Sequence, residues 1–364
     1  MIHFVIGTRA QLLKMAPVML ECERRRLAWR WVYTAQHKGK IRETVDTFGL
    51  PEPDYVVVKS SAEANSMPTI SKWFVRMLLS LTKSRRILAG RTGKRHIVLT
   101  HGDTLTTWLA ALMAKITLTP VMHVESGLRS FNLRSPFPEE LNRVLTFRLA
   151  DYYACPGEWA VANVAKHKGL KLDTKLNTQV DTLRFGIAHV DDVNIVLPRA
   201  KYVVVSIHRY ENIFKANRFE RIIEELELIA RTFTVLLIQH PATQLQIDRL
   251  GLRSRLEEND RIFLLPRLDY LEFLKALIGC EFVVTDGGGN QEELSYLGKP
   301  ALILRNESER QEGLGANAVL SKFDSATISN FVGNYKGFER PQRIPSDSPS
   351  RMIVDFLEDR GFGG

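Results

Sequence analysis

Carboxylates stand just past strand-like runs in the first half of the chain. Asp103 follows His96–Thr100, within His101-Gly102-Asp103-Thr104. Glu125 follows Val121–Val124, within His123-Val124-Glu125-Ser126-Gly127-Leu128-Arg129. Glu139 opens a helical pattern, within Ser135-Pro136-Phe137-Pro138-Glu139-Glu140-Leu141-Asn142-Arg143. The carboxyl ends of parallel strands are where catalytic groups collect. Paired carboxylates there can take a proton and return it. Each acid alone has a plainer use: Asp103 as the cap of the helix that follows, or any of them as a counter-charge to a helix dipole. Several such sites at neighbouring strand ends are harder to assign to capping.

A second group suits an anion. Ile2–Ile6 runs into Gly7-Thr8-Arg9 and a helix carrying Lys14. Such a turn can offer backbone N–H groups and an arginine to a phosphate, or be an ordinary strand-to-helix turn. His208 and Arg209 follow another β-branched run, and His240 ends the next; a lone histidine is more often structural. Gly287-Gly288-Gly289 lies between Phe282–Thr285 and a helical pattern from Gln291. These glycines form either a flexible turn or an anion nest at a helix start. Glu292 stands where G-x-G-x-x-G needs its last glycine, and no G-K-[ST] follows, which argues against a dinucleotide fingerprint and a P-loop. A glutamate one turn into the helix can take ribose hydroxyls while the nest holds phosphate.

The elements that must position these groups alternate in a βαβ rhythm. Strands are predicted at Ile2–Ile6, Trp31–Thr34, Tyr55–Val58, His96–Thr100, Val121–Val124 and Tyr152–Ala154. Helices are predicted around Gln11–Arg25, Ser71–Leu88, Thr104–Ile116 and Glu139–Leu149. Lys171–Val193 reads as irregular. The rhythm restarts at Tyr202–Ser206 and continues through strands at Phe233–Ile238, Arg261–Leu265, Phe282–Thr285 and Ala301–Leu304. We therefore expect an α/β protein of two doubly wound, Rossmann-like domains, at about 1–175 and 195–345, with a terminal helix near 350–360 packing back on the first.

The bulk composition sets limits. The chain has 364 residues, 45% hydrophobic and 25% charged, with a net charge of +9. No apolar run reaches the roughly 18 residues of a membrane span, and Met1–Gly7 leads straight into a strand with no secretory leader. Cys22, Cys155 and Cys280 lie far apart, which argues against zinc and a disulfide framework and fits a reducing cytoplasm. The basic surplus favours anionic partners, but its clusters are short and fall on amphipathic helix patterns. No aromatic-basic stacking pattern accompanies them, so no nucleic-acid partner is expected.

Together these motifs resemble the UDP-N-acetylglucosamine 2-epimerase family, nearest its non-hydrolysing bacterial branch. The likeness runs through Gly7-Thr8-Arg9, Lys14-Met15-Ala16-Pro17, Thr34-Ala35-Gln36-His37 and the three carboxylate segments. It continues through His208-Arg209, Leu268-Asp269-Tyr270, Thr285-Asp286, Gly288-Gly289 and Glu309-Arg310. The resemblance implies a GT-B-like fold with the active site in the interdomain cleft. It implies interconversion of UDP-GlcNAc and UDP-ManNAc by elimination and re-addition of UDP, without metal or other cofactor, by a homodimer serving cell-surface polysaccharide biosynthesis. It implies catalytic roles for Asp103, Glu125, Glu139 and His208. It assigns UDP binding to Arg9, Lys14, Arg143, Arg209, Gly287, Gly288, Gly289 and Glu293. Hydrolysis to free ManNAc plus UDP, a modified UDP-sugar, or a GT-B glycosyltransferase are the alternatives.

The chain departs from the family pattern at several points. Ala10-Gln11 replace Pro-Glu after Arg9, Gly287 replaces a serine, and Gln311 replaces a proline. The segments at 38–40 and 60–64 also differ. In regulated members both serve binding of a second UDP-GlcNAc, so that regulation is not expected here.

Overall fold

The computed structural model describes residues 1–36, 41–59, 67–88, 95–133, 137–308 and 310–364. The departures at 38–40 and 60–64, with His37, Ser135, Pro136 and Glu309, lie outside the described residues. The chain divides into two compact units, Met1–Thr182 with Ser346–Gly364, and Leu183–Pro345.

The first unit is built on strands β1 (Ile2–Ile6), β2 (Trp29–Tyr33), β3 (Tyr55–Val56), β4 (Ile97–His101), β5 (Val121–Val124), β6 (Tyr152–Cys155) and β7 (Leu170–Asp173). They form one sheet in the order β3-β2-β1-β4-β5-β6-β7, every pair parallel. β1, β4 and β5 are buried along their whole length, as central strands covered on both faces must be. The order reverses between β1 and β4, so the loops leaving these two strands lie side by side at the switch point. The terminal helix Pro349–Asp359 packs on the Arg9–Arg24 helix. Arg25 links them by ion pairs of 2.5 Å to both Asp355 and Glu358.

The second unit repeats the plan with β8 (Tyr202–Ser206), β9 (Thr234–Gln239), β10 (Ile262–Pro266), β11 (Val283–Thr285), β12 (Ala301–Ile303) and β13 (Ala318–Leu320). Its order is β10-β9-β8-β11-β12-β13, again parallel throughout. The switch point falls between β8 and β11. The loops carrying His208 and the three glycines are therefore neighbours.

Several expectations need correction. Lys171–Val193 is not irregular: it contains most of β7 and the helix Gln179–His189. β7 is a short edge strand with a half-open face, so it lacks the apolar run that marks a buried strand. Ser71–Leu88 is not one helix. Met67–Ser80 ends at a 3₁₀ turn, Leu81–Lys83, before Ser84–Leu88. The helix after the glycines starts at Gly288, three residues before Gln291.

Two buried histidines in the first unit make its stability pH-dependent. His3 accepts a 2.8 Å hydrogen bond from Arg30 Nε and lies 2.9 Å from His96. Burial first, then Arg30 and His96, pushes its pKa down to about 3. His123 is fully buried, and burial lowers its pKa from 6.5 to about 4. Both rings stay neutral in the fold, whereas an unfolded chain takes up a proton on each below its ordinary pKa. Stability is therefore full above about pH 6.5 and falls as pH drops toward 4. His123 alone accounts for about 3 kcal/mol of the loss. Urea midpoints measured between about pH 7.5 and 4.5 should fall steadily; a flat profile would contradict this assignment.

Candidate active site

At the first unit's switch point, β4 ends in His101, Gly102 turns the chain at φ +68°, and Asp103 follows. His123 anchors this turn. Its Nε2 donates to the Gly102 carbonyl at 2.7 Å, and its Nδ1 accepts from the Ser126 hydroxyl at 3.0 Å. His123 is thus a structural member of the loop, and its burial keeps it neutral. Asp103 accepts a 2.6 Å charge-assisted hydrogen bond from Arg143 Nη2, and its carbonyl accepts Asn142 Nδ2 at 2.8 Å.

Arg143 is itself held by a residue given no role above. Glu140 is fully buried and accepts from Arg143 Nη1 at 3.2 Å, from Arg129 Nε, and from the Ser130 N–H at 3.0 Å. Burial works to raise the Glu140 pKa, but the Arg129 and Ser130 hydrogen bonds outweigh it and hold it low. Glu139 is the first residue of the same helix, half-buried, one turn before Arg143. The adjacent acids therefore divide the work: Glu140 locks the arginines, and Glu139 stands at the helix entrance.

Glu125 leaves β5 in the left-handed region, φ +60°, and Gly127 follows at φ +87°. A non-glycine residue there costs about 1–3 kcal/mol and persists only when its surroundings hold it. Here Lys14 Nζ lies 2.5 Å from Glu125 Oε2, Asn177 Nδ2 donates to the same oxygen, and His101 Nε2 is 3.8 Å away. A Cβ on Gly102 would lie 3.7 Å from Glu125 Oε1, so this carboxylate rests against the turn that carries Asp103. Asp103, Glu125, Lys14 and Arg143 are thus brought together. Asn177 was hidden because it lies in the stretch read as irregular.

The turn after β1 was open to two uses, an anion site or an ordinary strand-to-helix turn, and its Gly7 and Thr8 N–H groups both donate to Gln11 Oε1, at 2.9 and 3.2 Å. The Gln11 amide nitrogen donates to the His101 carbonyl at 2.7 Å and to Thr107 Oγ1 at 3.1 Å. Gln11 therefore ties the β1 loop to the end of β4, using donors that the family's glutamate lacks. Arg9, buried at the helix start, keeps its place beside this turn. Gln11→Glu should cost about 1–3 kcal/mol by removing donors to buried oxygens. A denaturant midpoint unchanged at neutral pH would contradict that prediction.

In the second unit the organiser is Asp286, fully buried at the end of β11. Its carboxylate accepts from the His208 N–H at 3.0 Å, the Arg209 N–H at 2.9 Å and Asn212 Nδ2 at 2.9 Å. His208 Nδ1 lies 3.4 Å from the same carboxylate, and the His240 ring stands 4.7 Å from that of His208. Burial of the ring lowers the His208 pKa against the opposing pull of Asp286. Its side chain keeps 40% of its surface open, so it stays available to a ligand and feels less desolvation than a sealed ring.

The three glycines do not act alike. Gly287 is the helix N-cap, and its N–H donates to Thr285 Oγ1 at 3.1 Å, so it supplies no donor to an anion. Gly288, Gly289 and Asn290 form the first turn, whose N–H groups have no intrahelical acceptor. A Cβ at 287 would meet His208 Cε1 at 3.0 Å. Glycine here gives the imidazole its room. The following acids are engaged: Glu292 pairs with Arg310 at 2.9 Å, and Glu293 Oε1 accepts the Tyr270 hydroxyl at 2.9 Å. Among the described residues, no cluster of three or more His, Cys, Asp or Glu is arranged to hold a metal, and no helix is long and apolar enough to cross a membrane.

Two parallel, doubly wound units, each with polar groups gathered at its switch point, define a two-domain Rossmann-like scaffold of the GT-B class. Comparison with known proteins narrows the class. The sequence profile of UDP-N-acetylglucosamine 2-epimerases matches residues 20–342, and the chain belongs to that family. It is 33% identical over 325 residues to the UDP-N-acetylglucosamine 2-epimerase of Bacillus subtilis, covering 86% of this chain and 81% of that one. It is 31% identical to the UDP-2,3-diacetamido-2,3-dideoxy-D-glucuronate 2-epimerase of Pseudomonas aeruginosa, covering 87% of each. The crystal structure of the Methanocaldococcus jannaschii UDP-GlcNAc 2-epimerase in complex with UDP-GlcNAc and UDP superposes with a TM-score of 0.84. The two are 25% identical, and the match covers 98% of this chain and 99% of that one.

Proposed function

We propose that the protein interconverts UDP-GlcNAc and UDP-ManNAc by epimerisation at C2. The observation that carries the reading is the gathering of Asp103 and Glu125 at one switch point, each on its own cation, Arg143 and Lys14. Removal of the C2 proton and departure of UDP from C1 give a 2-acetamidoglucal; UDP then adds back as a proton returns to the opposite face of C2. Asp103, Glu125 and Glu139 move the proton and manage charge. In the second unit, His208, Arg209 and the first-turn N–H groups of Gly288 and Gly289 hold the diphosphate and stabilise it as its charge grows. Glu293 takes the ribose hydroxyls in this reading, with the Tyr270 hydroxyl fixing one of its oxygens.

A modified UDP-sugar is the second reading, favoured by the 31% identity to the Pseudomonas aeruginosa enzyme. Incubation with UDP-GlcNAc, followed by chromatography, separates the outcomes. UDP-ManNAc with little free UDP supports simple epimerisation. Stoichiometric UDP with free ManNAc shows hydrolysis instead. Inertness toward UDP-GlcNAc, with turnover of a diacetamido uronate, selects the second reading. In this account the enzyme is a cytoplasmic homodimer supplying cell-surface polysaccharide biosynthesis. The family resemblance supports that assignment, and the buried, unpaired Cys22, Cys155 and Cys280 suit a reducing compartment.

A further inference from the structure

The second unit holds a cavity of about 490 Å³ against the helix Ala216–Ala230. It lies on the opposite face of the sheet from the Gly288–Leu297 helix. From the switch point, β8 crosses to β9 in one direction and β11 to β12 in the other, so right-handed crossovers put their helices on opposite faces. The cavity is therefore separate from the glycine turn and its neighbours.

Its floor is apolar, formed by Ile222, Leu226, Val284, Leu302, Leu304 and Ile328, all buried members of the unit's core. Protein interiors are close-packed and rarely leave voids larger than a water molecule. This volume instead falls in the range of ligand pockets, roughly 300–1,000 Å³. An apolar floor of this kind does not hold ordered water, which needs several polar partners.

The rim is charged on one side. Lys215, Arg218 and Arg221 line it from the start of the helix. Among the described residues, none of the three has a carboxylate at ion-pair distance. The Arg218 guanidinium lies 4.3 Å over the Phe323 ring instead. Glu225, also on the rim, is occupied by the Ser325 hydroxyl at 2.7 Å. A half-open apolar space under a rim on which three cations outnumber one carboxylate matches one ligand chemistry. We propose that this cavity binds a small amphiphile with a single anionic head, a carboxylate or phosphate monoester, on a medium-length hydrocarbon chain. The proposal is independent of the nucleotide-sugar reading.

Calorimetric titration of the full chain with decanoate and with decyl phosphate, below their micellar concentrations, tests it. Decanol and inorganic phosphate are the controls. The expected result is saturable binding of one or both amphiphiles at one per chain, with whichever binds identifying the head, and at least about tenfold weaker binding of decanol. Arg221→Glu should weaken the amphiphile at least about tenfold, and Ala216→Phe, which adds bulk to the lining, should abolish it. Near-ultraviolet circular dichroism matching that of the wild-type chain would confirm that both variants are folded. Arg221→Glu alters an exposed side chain and keeps the test decisive even if the phenylalanine variant misfolds. Absence of saturable binding, decanol binding as tightly as decanoate, or affinities unchanged in Arg221→Glu would overturn the proposal.

Discussion

Replacing Glu125 with glutamine should lower kcat by about 10²–10⁴-fold, the range for loss of a positioned proton-transfer group. Its KM for the UDP-sugar should change little. The substitution keeps the size of the side chain and removes its charge. Glu125 is 8% exposed, sits in a left-handed backbone conformation, and holds Lys14 at 2.5 Å. A glutamine keeps an oxygen for Lys14 or for Asn177, so the loop should stay folded. What it loses is the ability to accept a proton and the negative charge that the proposed function assigns to proton transfer. Lys14→Met should act in the same direction, because a buried carboxylate loses its counter-charge. Steady-state kinetics beside near-ultraviolet circular dichroism check both. A Glu125→Gln enzyme within about fivefold of wild-type kcat would remove Glu125 from the proton-transfer role.

Asp286→Ala is expected to combine a folding defect with a binding defect. The carboxylate accepts hydrogen bonds from two backbone N–H groups and the Asn212 amide in a fully buried setting. Stranding such donors costs about 1–3 kcal/mol for each buried group, so a loss of about 3 kcal/mol or more is expected. The same bonds hold His208 and Arg209 beside the Gly288 turn, so UDP affinity should fall at least about tenfold. Asp286→Asn keeps one acceptor oxygen and should recover part of both losses. Urea unfolding with UDP titration by calorimetry measures the two effects separately. Normal UDP affinity in a destabilised Asp286→Ala chain would show that this loop does not hold the diphosphate.

These two residues also show how much of the site was legible in the sequence. Asp103 and Glu125 could be picked out because each follows an apolar strand, and the sheet order brings such ends together. Asp286 follows a strand in the same way but was passed over beside the glycines. Its partners, His208 to Asn212, lie more than seventy residues earlier, and only the β8–β11 pairing brings them to it. Glu140 and Glu292 were obscured for a related reason: each neighbours an acid with a different task. Side-chain direction along a helix, rather than residue type, decides which one faces Arg143 or Arg310. The three glycines read as equivalent, yet the Thr285 hydroxyl takes the Gly287 N–H, and only the next turn keeps N–H groups without an intrahelical acceptor. Gln11 looked like a loss of the family's glutamate. In three dimensions it supplies the donors that tie the β1 loop to His101.

The most direct measurement of the central claim is turnover in deuterium oxide. Purified protein incubated with UDP-GlcNAc should produce UDP-ManNAc carrying deuterium at C2, with deuterium also appearing at C2 of the recovered UDP-GlcNAc. The Glu125→Gln enzyme should show both signals reduced together. Formation of UDP-ManNAc with its original C2 hydrogen intact, or no exchange and no turnover of this or a modified UDP-sugar, would contradict it.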